Sequence, residues 1–144
     1  MLIGSYNHSV DAKGRVFIPA KFREDLGEHF VVTRGIGKCL FVFSLEEWAK
    51  LSEKLKTIPM ADRELQVFIR TFYAFASECE ADKQGRILIP QRLRDLAGIT
   101  KDVTAIGVMS RVELWASDAW DNYSETAENG GYEDTLSKLA ELGI

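Results

Sequence analysis

The chain contains the same pattern twice. DAKGRVFIPAKFREDLG at 11–27 aligns without a gap to DKQGRILIPQRLRDLAG at 82–98, a shift of 71 positions. Seven of the 17 pairs are identical: Asp11/Asp82, Gly14/Gly85, Arg15/Arg86, Ile18/Ile89, Pro19/Pro90, Arg23/Arg94 and Gly27/Gly98. Five more are conservative, among them Val16/Ile87, Lys21/Arg92 and Phe22/Leu93. After a one-residue insertion the match resumes at Gly35/Gly107, Phe43/Trp115 and Trp48/Trp120. A period of 71 is too long for a solenoid unit and about right for a half-domain. The 144 residues favour one compact unit or two very small ones fused together. A chain of this size buries roughly two-thirds of its unfolded surface, so its core needs neither disulfide nor metal.

Each copy reads in the same order. Extended stretches at Tyr6–Val10 and Ser77–Ala81 lead into the tight turns Asp11–Gly14 and Asp82–Gly85. There Gly supplies positive φ, and Asp accepts hydrogen bonds from the backbone that follows it. Arg15–Ile18 and Arg86–Ile89 are rich in branched apolar residues and read as strands. Pro19 and Pro90 end them and suit the first turn of short helices, Ala20–Leu26 and Gln91–Ala97, which stop at Gly27 and Gly98. Strands follow at Phe30–Arg34 and Leu40–Phe43, and again at Val103–Ile106 and Val112–Trp115.

Helices lie between and after the copies. Ser44 and Glu47 form a capping box before Trp48, Leu51 and Leu55. Leu65, Phe68, Ile69 and Phe72 make the apolar stripe of a second helix. Ser117 precedes a helix with Trp120 and Tyr123, and Gly130-Gly131 then breaks the chain before an acidic tail carrying Leu136, Leu139 and Leu142. The expected organisation is a first repeat with its following helix at 1–56, a connecting helix at 57–76, a second repeat with its helix at 77–128, and an acidic tail helix at 129–144.

Composition narrows the function. Hydrophobic residues at 46% and charged residues at 28% are those of a soluble globular protein, and no apolar run approaches the ~20 residues that span a bilayer. The start, MLIGSYNHSV, is unlike a secretory leader, so a cytoplasmic address is expected. Cys39 and Cys79 lack metal or redox spacing and read as reduced, largely buried thiols. Net charge is −4, but residues 1–112 hold 17 Lys and Arg against 14 Asp and Glu, whereas 113–144 hold one Lys against 8 acids. A positive face on the repeated part is therefore compatible with an acidic protein.

No nucleophile–base set, metal-spaced cluster or nucleotide-cradling glycine loop occurs, and the two histidines, His8 and His29, are not equivalent positions. No enzyme activity, cofactor, metal or small-molecule substrate is expected. Glu78, Glu80 and Asp82 alternate, but the first copy has Asn7, Ser9 and Asp11 there, so a solvated strand edge is the better reading.

What the duplication preserves is Asp-x-x-x-Arg across a turn, followed by a basic helix. Asp11 and Arg15, like Asp82 and Arg86, can pair across the turn. A carboxylate that orients a guanidinium leaves its other donors free for phosphate or guanine. Lys13 and Lys83 add charge to the same loops at non-equivalent positions, since Gln84 stands where the first copy has Lys13.

Asp-x-Lys-Gly-Arg-x-x-Ile-Pro-Ala-Lys-Phe-Arg, repeated as Asp-Lys-Gln-Gly-Arg-Ile-Leu-Ile-Pro, resembles the MraZ family of bacterial regulators over residues 1–125. More distantly it is similar to the AbrB/SpoVT DNA-binding fold. The resemblance implies an α+β, mainly β chain: a tandem, pseudo-symmetric swapped-hairpin β-barrel with short helices and helical extensions, in which two copies within one chain mimic the AbrB dimer. It further implies a ring-shaped homo-oligomer in the nucleoid that binds repeated promoter elements of double-stranded DNA ahead of a division and cell-wall gene cluster, as a repressor. By motif match it places DNA contact on Asp11, Lys13, Gly14 and Arg15 and on Asp82, Lys83, Gly85 and Arg86. The alternative is a protein-interaction or antitoxin-like module of the same fold that uses the acidic tail, since fold alone does not separate these roles.

Overall fold

The computed structural model describes residues 1–144 and is an α+β structure dominated by antiparallel sheet. The first copy contributes β1 (Leu2–Ser9), β2 (Arg15–Phe17), α1 (Ala20–Leu26), β3 (His29–Arg34), β4 (Cys39–Ser44) and α2 (Leu45–Leu55). After α3 (Arg63–Ala74) the order recurs as β5 (Ser77–Glu80), β6 (Arg86–Leu88), α4 (Gln91–Ala97), β7 (Asp102–Met109), β8 (Arg111–Ala116) and α5 (Ser117–Thr126). The chain then kinks within Ala127–Gly131, where Asn129 and Gly130, at φ of −86° and 103°, leave helical geometry, and continues as α6 (Tyr132–Asp134) and α7 (Leu136–Glu141). No helix is long and apolar enough to cross a membrane.

Local chemistry explains the ends of these elements. Pro19 and Pro90 immediately precede α1 and α4, and Gly27 and Gly98, at φ of 79° and 66°, terminate them. At α2 the Glu47 N–H donates to Ser44 Oγ at 3.1 Å, but the reciprocal half of the box is not made, because the Glu47 carboxylate turns to Lys50. Asp62 caps α3 by accepting from the Leu65 N–H, a cap that the apolar stripe alone does not suggest.

The strands run in the order β1-β7-β8-β4-β3-β5 in one six-stranded sheet, with β2 and β6 as a separate two-stranded ribbon. Since β1, β3 and β4 correspond to β5, β7 and β8, this order is symmetric about the β4–β8 pair. Each copy's first strand pairs with the other copy: β1 with β7, from Leu2 opposite Met109 to Ser9 opposite Asp102, and β5 with β3. The ribbon repeats the exchange, with Val16 opposite Ile87 at its centre. It is extended by bonds from the Ile18 N–H to the Gly85 carbonyl and from the Ile89 N–H to the Gly14 carbonyl, both 3.0 Å.

Two expectations need correction. The sheet does not close into a barrel: β1 and β5 are free edges, and the ribbon lies apart from the six-stranded sheet instead of joining the two edges. The Asp11–Gly14 and Asp82–Gly85 turns are not tips of continuing hairpins either. Each closes two backbone bonds: the Asp11 N–H to the Arg15 carbonyl at 2.9 Å and the Gly14 N–H to the Asp11 carbonyl at 3.0 Å, or the Asp82 N–H to the Arg86 carbonyl at 2.8 Å and the Gly85 N–H to the Asp82 carbonyl at 2.9 Å. The strands on either side then diverge to partners in the other copy. Glu78 and Glu80 do stand exposed on the edge strand β5.

The core fills the space between sheet, ribbon and the helices α1 and α4. Val16, Ile18, Phe22, Val32 and Leu40 of the first copy pack in one cluster with Ile87, Ile89, Leu93, Val103 and Leu114 of the second. Neither copy holds a core of its own. A second cluster, of Cys39, Phe41, Phe43, Phe72, Ile106 and Trp115, lies beneath α2, α3 and α5. Both thiols are free, and burial pushes each up to about 12.

Phe22 is fully buried, with Tyr6 edge-on to its ring at 5.2 Å. Phe22→Ala is expected to cost about 3–5 kcal/mol. Because the core is shared, chemical denaturation should show one transition shifted to lower denaturant, not the loss of one half before the other.

Candidate nucleic-acid interface

The two Asp-x-x-x-Arg turns have the same internal wiring. Asp11 Oδ1 accepts from the Lys13 and Arg15 N–H groups, both at 2.9 Å, and Asp11 Oδ2 accepts from Arg15 Nε at 2.8 Å. In the second turn Asp82 Oδ1 accepts from the Gln84 and Arg86 N–H groups and Oδ2 from Arg86 Nε, all at 2.9 Å. The two Nε bonds fix the guanidinium planes. No hydrogen bond within the chain engages the terminal nitrogens of Arg15 or Arg86. The nearest approach is Arg86 Nη1 to Asp11 Oδ2 at 3.7 Å, a contact between the two turns too long for a hydrogen bond. The side chains of Arg15 and Arg86 are 32% and 23% exposed, so each is braced at Nε and in part accessible.

Gly14 and Gly85 are buried at φ of 86° and 81°. A Cβ at Gly14 would lie 2.6 Å from the guanidinium carbon of Arg94, and one at Gly85 would lie 2.6 Å from that of Arg23. Each turn is therefore covered by an arginine from the other copy's short helix. These arginines are held by Nε bonds to carbonyls at the helix entrances, Arg23 to Ile18 and Arg94 to Ile89, both at 3.1 Å. The identity of Arg23 and Arg94 in the repeat was visible in the sequence; their reach across to the opposite turn was not.

The ribbon completes the surface. Val16, Ile18, Ile87 and Ile89 point inward, so Arg15, Phe17, Arg86 and Leu88 form its outer face. Arg15 is paired with Leu88 and Phe17 with Arg86, which alternates cation and apolar group across both strands. Phe17 and Leu88 are 43% and 59% exposed, and both were legible in the period-2 pattern without being singled out. Lys13 and Lys83 are exposed beside the turns. Six cations, counting Arg23 and Arg94, thus surround two carboxylates that are already engaged. The arrangement suits a polyanion. No group of three or more His, Cys, Asp or Glu side chains stands close enough to hold a metal ion.

The geometry describes a duplicated, strand-exchanged α+β protein that presents a pair of carboxylate-braced arginine turns. The chain belongs to the MraZ family, whose model, described as "MraZ protein, putative antitoxin-like", matches residues 1–70 and again 72–139. Relatives called "Transcriptional regulator MraZ" include those of Acetivibrio thermocellus, 55% identical, and Caldicellulosiruptor bescii, 53% identical, each over 144 residues and all of both chains. The one from Caldanaerobacter subterraneus subsp. tengcongensis is 56% identical over 89% of this chain and 90% of its own. The solution structure of PHS018 from Pyrococcus horikoshii aligns with 79% of this chain and 88% of its own at 16% identity and a TM-score of 0.33.

The donated backbone N–H of Arg15 holds the Asp11 carboxyl below its ordinary 3.8, and that of Arg86 does the same for Asp82. A carboxyl lowered by folding stabilises the fold above its unfolded value, and that contribution is lost as pH falls through the folded value. The stability difference between the wild type and the Asp11→Asn, Asp82→Asn double variant should therefore be full at neutral pH and shrink below about pH 4, as denaturation across a pH series would show. Gly14→Ala should cost about 1–2 kcal/mol from its left-handed backbone alone. It should also displace Arg94, visible as a shifted guanidinium Nε–H resonance in NMR.

Proposed function

We propose that this protein is a sequence-specific, double-stranded-DNA-binding transcriptional regulator, acting as a repressor on repeated promoter elements of its own operon in the nucleoid. The single observation that carries this reading is the paired Asp-braced arginines with unengaged terminal nitrogens. Arg presented in this way donates two parallel bonds to the O6 and N7 of guanine, the commonest specific contact in a major groove. A two-stranded ribbon is narrow enough to enter that groove. Phe17 and Leu88 beside the arginines suit thymine methyl groups, while Lys13 and Lys83 suit the flanking phosphates. The name carried by the relatives, that of a regulator and not of an enzyme, agrees with this reading.

One chain offers few cations for a duplex, so affinity is expected to come from several chains bound to spaced sites and joined in a ring-shaped homo-oligomer. Gel shifts on the DNA upstream of its own gene should show a steep loss of affinity with salt. Arg15→Ala or Arg86→Ala should each cost about 1–3 kcal/mol for every base that the missing guanidinium would have read. Lys83→Ala should weaken all sequences alike and reduce the salt slope. Wild-type binding by the Arg15→Ala, Arg86→Ala double variant would refute this assignment of the DNA-reading residues.

A further inference from the structure

The internal symmetry of the fold fails at one place. In the first copy, α3 lies over the sheet residue Phe43 and over Trp48 of α2: Phe72 stacks on Trp48 at 5.4 Å between ring centres, and Phe68 stacks on Phe72 at 5.0 Å. The second copy has the corresponding platform, with Trp115 in the place of Phe43 and Trp120 in that of Trp48. Trp115 meets Trp120 at 5.5 Å and Tyr123 at 5.1 Å. Nothing there takes the part of Phe72. What remains is an open groove of about 980 Å³ between α5 and the sheet, lined by Phe41, Ile106, Val108, Trp115, Trp120 and Tyr123.

The segment that matches α3 in the repeat is the tail. Beyond the insertion the two copies are related by a shift of 72, which carries the start of α3 at Arg63 onto Thr135, the residue just before α7. The second match of the family model runs through residue 139 and so includes the start of that helix. Yet the tail lies away from its own groove. Every residue from Tyr132 to Ile144 is exposed, and Leu136 and Leu139 share one helical face with nothing against it. Groove and tail are thus both bare on the same chain. The tail carries Glu133, Asp134 and Glu141 against Lys138; on the groove wall Arg111 is paired with Glu113, and Lys38 and Asp118 make no ion pair in their own chain.

We propose that the tail helix of one copy of this chain docks, through Leu136 and Leu139, in the Trp115–Trp120–Tyr123 groove of a second copy, filling the place that α3 fills in the first repeat. This deepens the self-association put forward above and rests on it. The contact is heterologous, tail of one chain into groove of the next, so it leaves one groove and one tail unused at the ends until a ring closes.

The test uses two variants of the full protein without DNA, so that failure to assemble is read separately from failure to bind an operator. The first ends at Asn129 and has a groove but no tail. Because the segment removed contributes nothing to the core, its thermal melt should match the wild type. The second, Val108→Glu with Tyr123→Glu, keeps the tail and blocks the groove. Light-scattering mass should fall to that of one chain for each variant alone. An equimolar mixture should give a one-to-one heterodimer, because each supplies what the other lacks. Wild-type mass for the truncated chain would overturn the proposal, as expected if the tail folds back on its own groove or assembly uses another surface. A mixture that stays monomeric would overturn it too. Circular dichroism identifies a groove variant that has merely unfolded. In that case Lys38→Glu, which reverses the unpaired cation on the groove wall and spares the aromatic platform, takes its place with the same expected masses.

Discussion

The structure depends on backbone pairing between the two copies. In the ribbon, β2 has no partner except β6, and in the sheet β1 has no neighbour except β7. Three-residue strands would not hold alone, since a two-stranded pair is marginal in water even when longer. They persist because Val16 and Ile87, opposite one another, insert into a core built from both copies, and because the Ile18 and Ile89 N–H groups reach across to Gly85 and Gly14. The same pairing fixes where the arginine turns lie. Gly14 and Gly85 are at once turn residues, ribbon residues and the seats of the opposite copy's Arg94 and Arg23.

This coupling gives the arginine turns their stiffness. A solvent-exposed ion pair contributes little by itself. Here the carboxylate also accepts two backbone N–H bonds, so it closes the turn and aims the guanidinium with the same two oxygens. Side-chain freedom that a flexible arginine would lose on binding is already spent in the folded state, the usual route to affinity from a small interface.

Much of this was legible along the chain, and the reasons are local. α1 and α4 were readable to the residue because proline and glycine bound them, and the inward face of β2 and β6 followed from the alternation of Val16 with Ile18 and of Ile87 with Ile89. The Asp–Arg brace was readable because four residues suffice to make it. Strand exchange was not derivable from the residues, because period-2 patterning says which face of a strand is buried and not which strand lies beside it. That the sheet stays open, against the barrel implied by resemblance, was not legible for a related reason: edge pairing depends on register and length that local pattern leaves undetermined. Arg23 and Arg94 were missed as turn clamps because the turns they cover, at Gly85 and Gly14, lie 62 and 80 positions away in the other copy.

The pairing of β1 with β7 also has a consequence for synthesis. Leu2 finds its partner only at Met109, so the first strand made is among the last to be satisfied. At ribosomal speeds of about 5–20 residues per second, it waits on the order of 5–20 s for that partner to be translated. An unpaired strand is a template for aggregation during such a delay. LIGSYNHS is poorly suited to that error: one glycine, two serines and an asparagine dilute its apolar content, and Leu2 is its only buried residue. The nascent chain can carry this strand unprotected because the strand has little to offer a stranger.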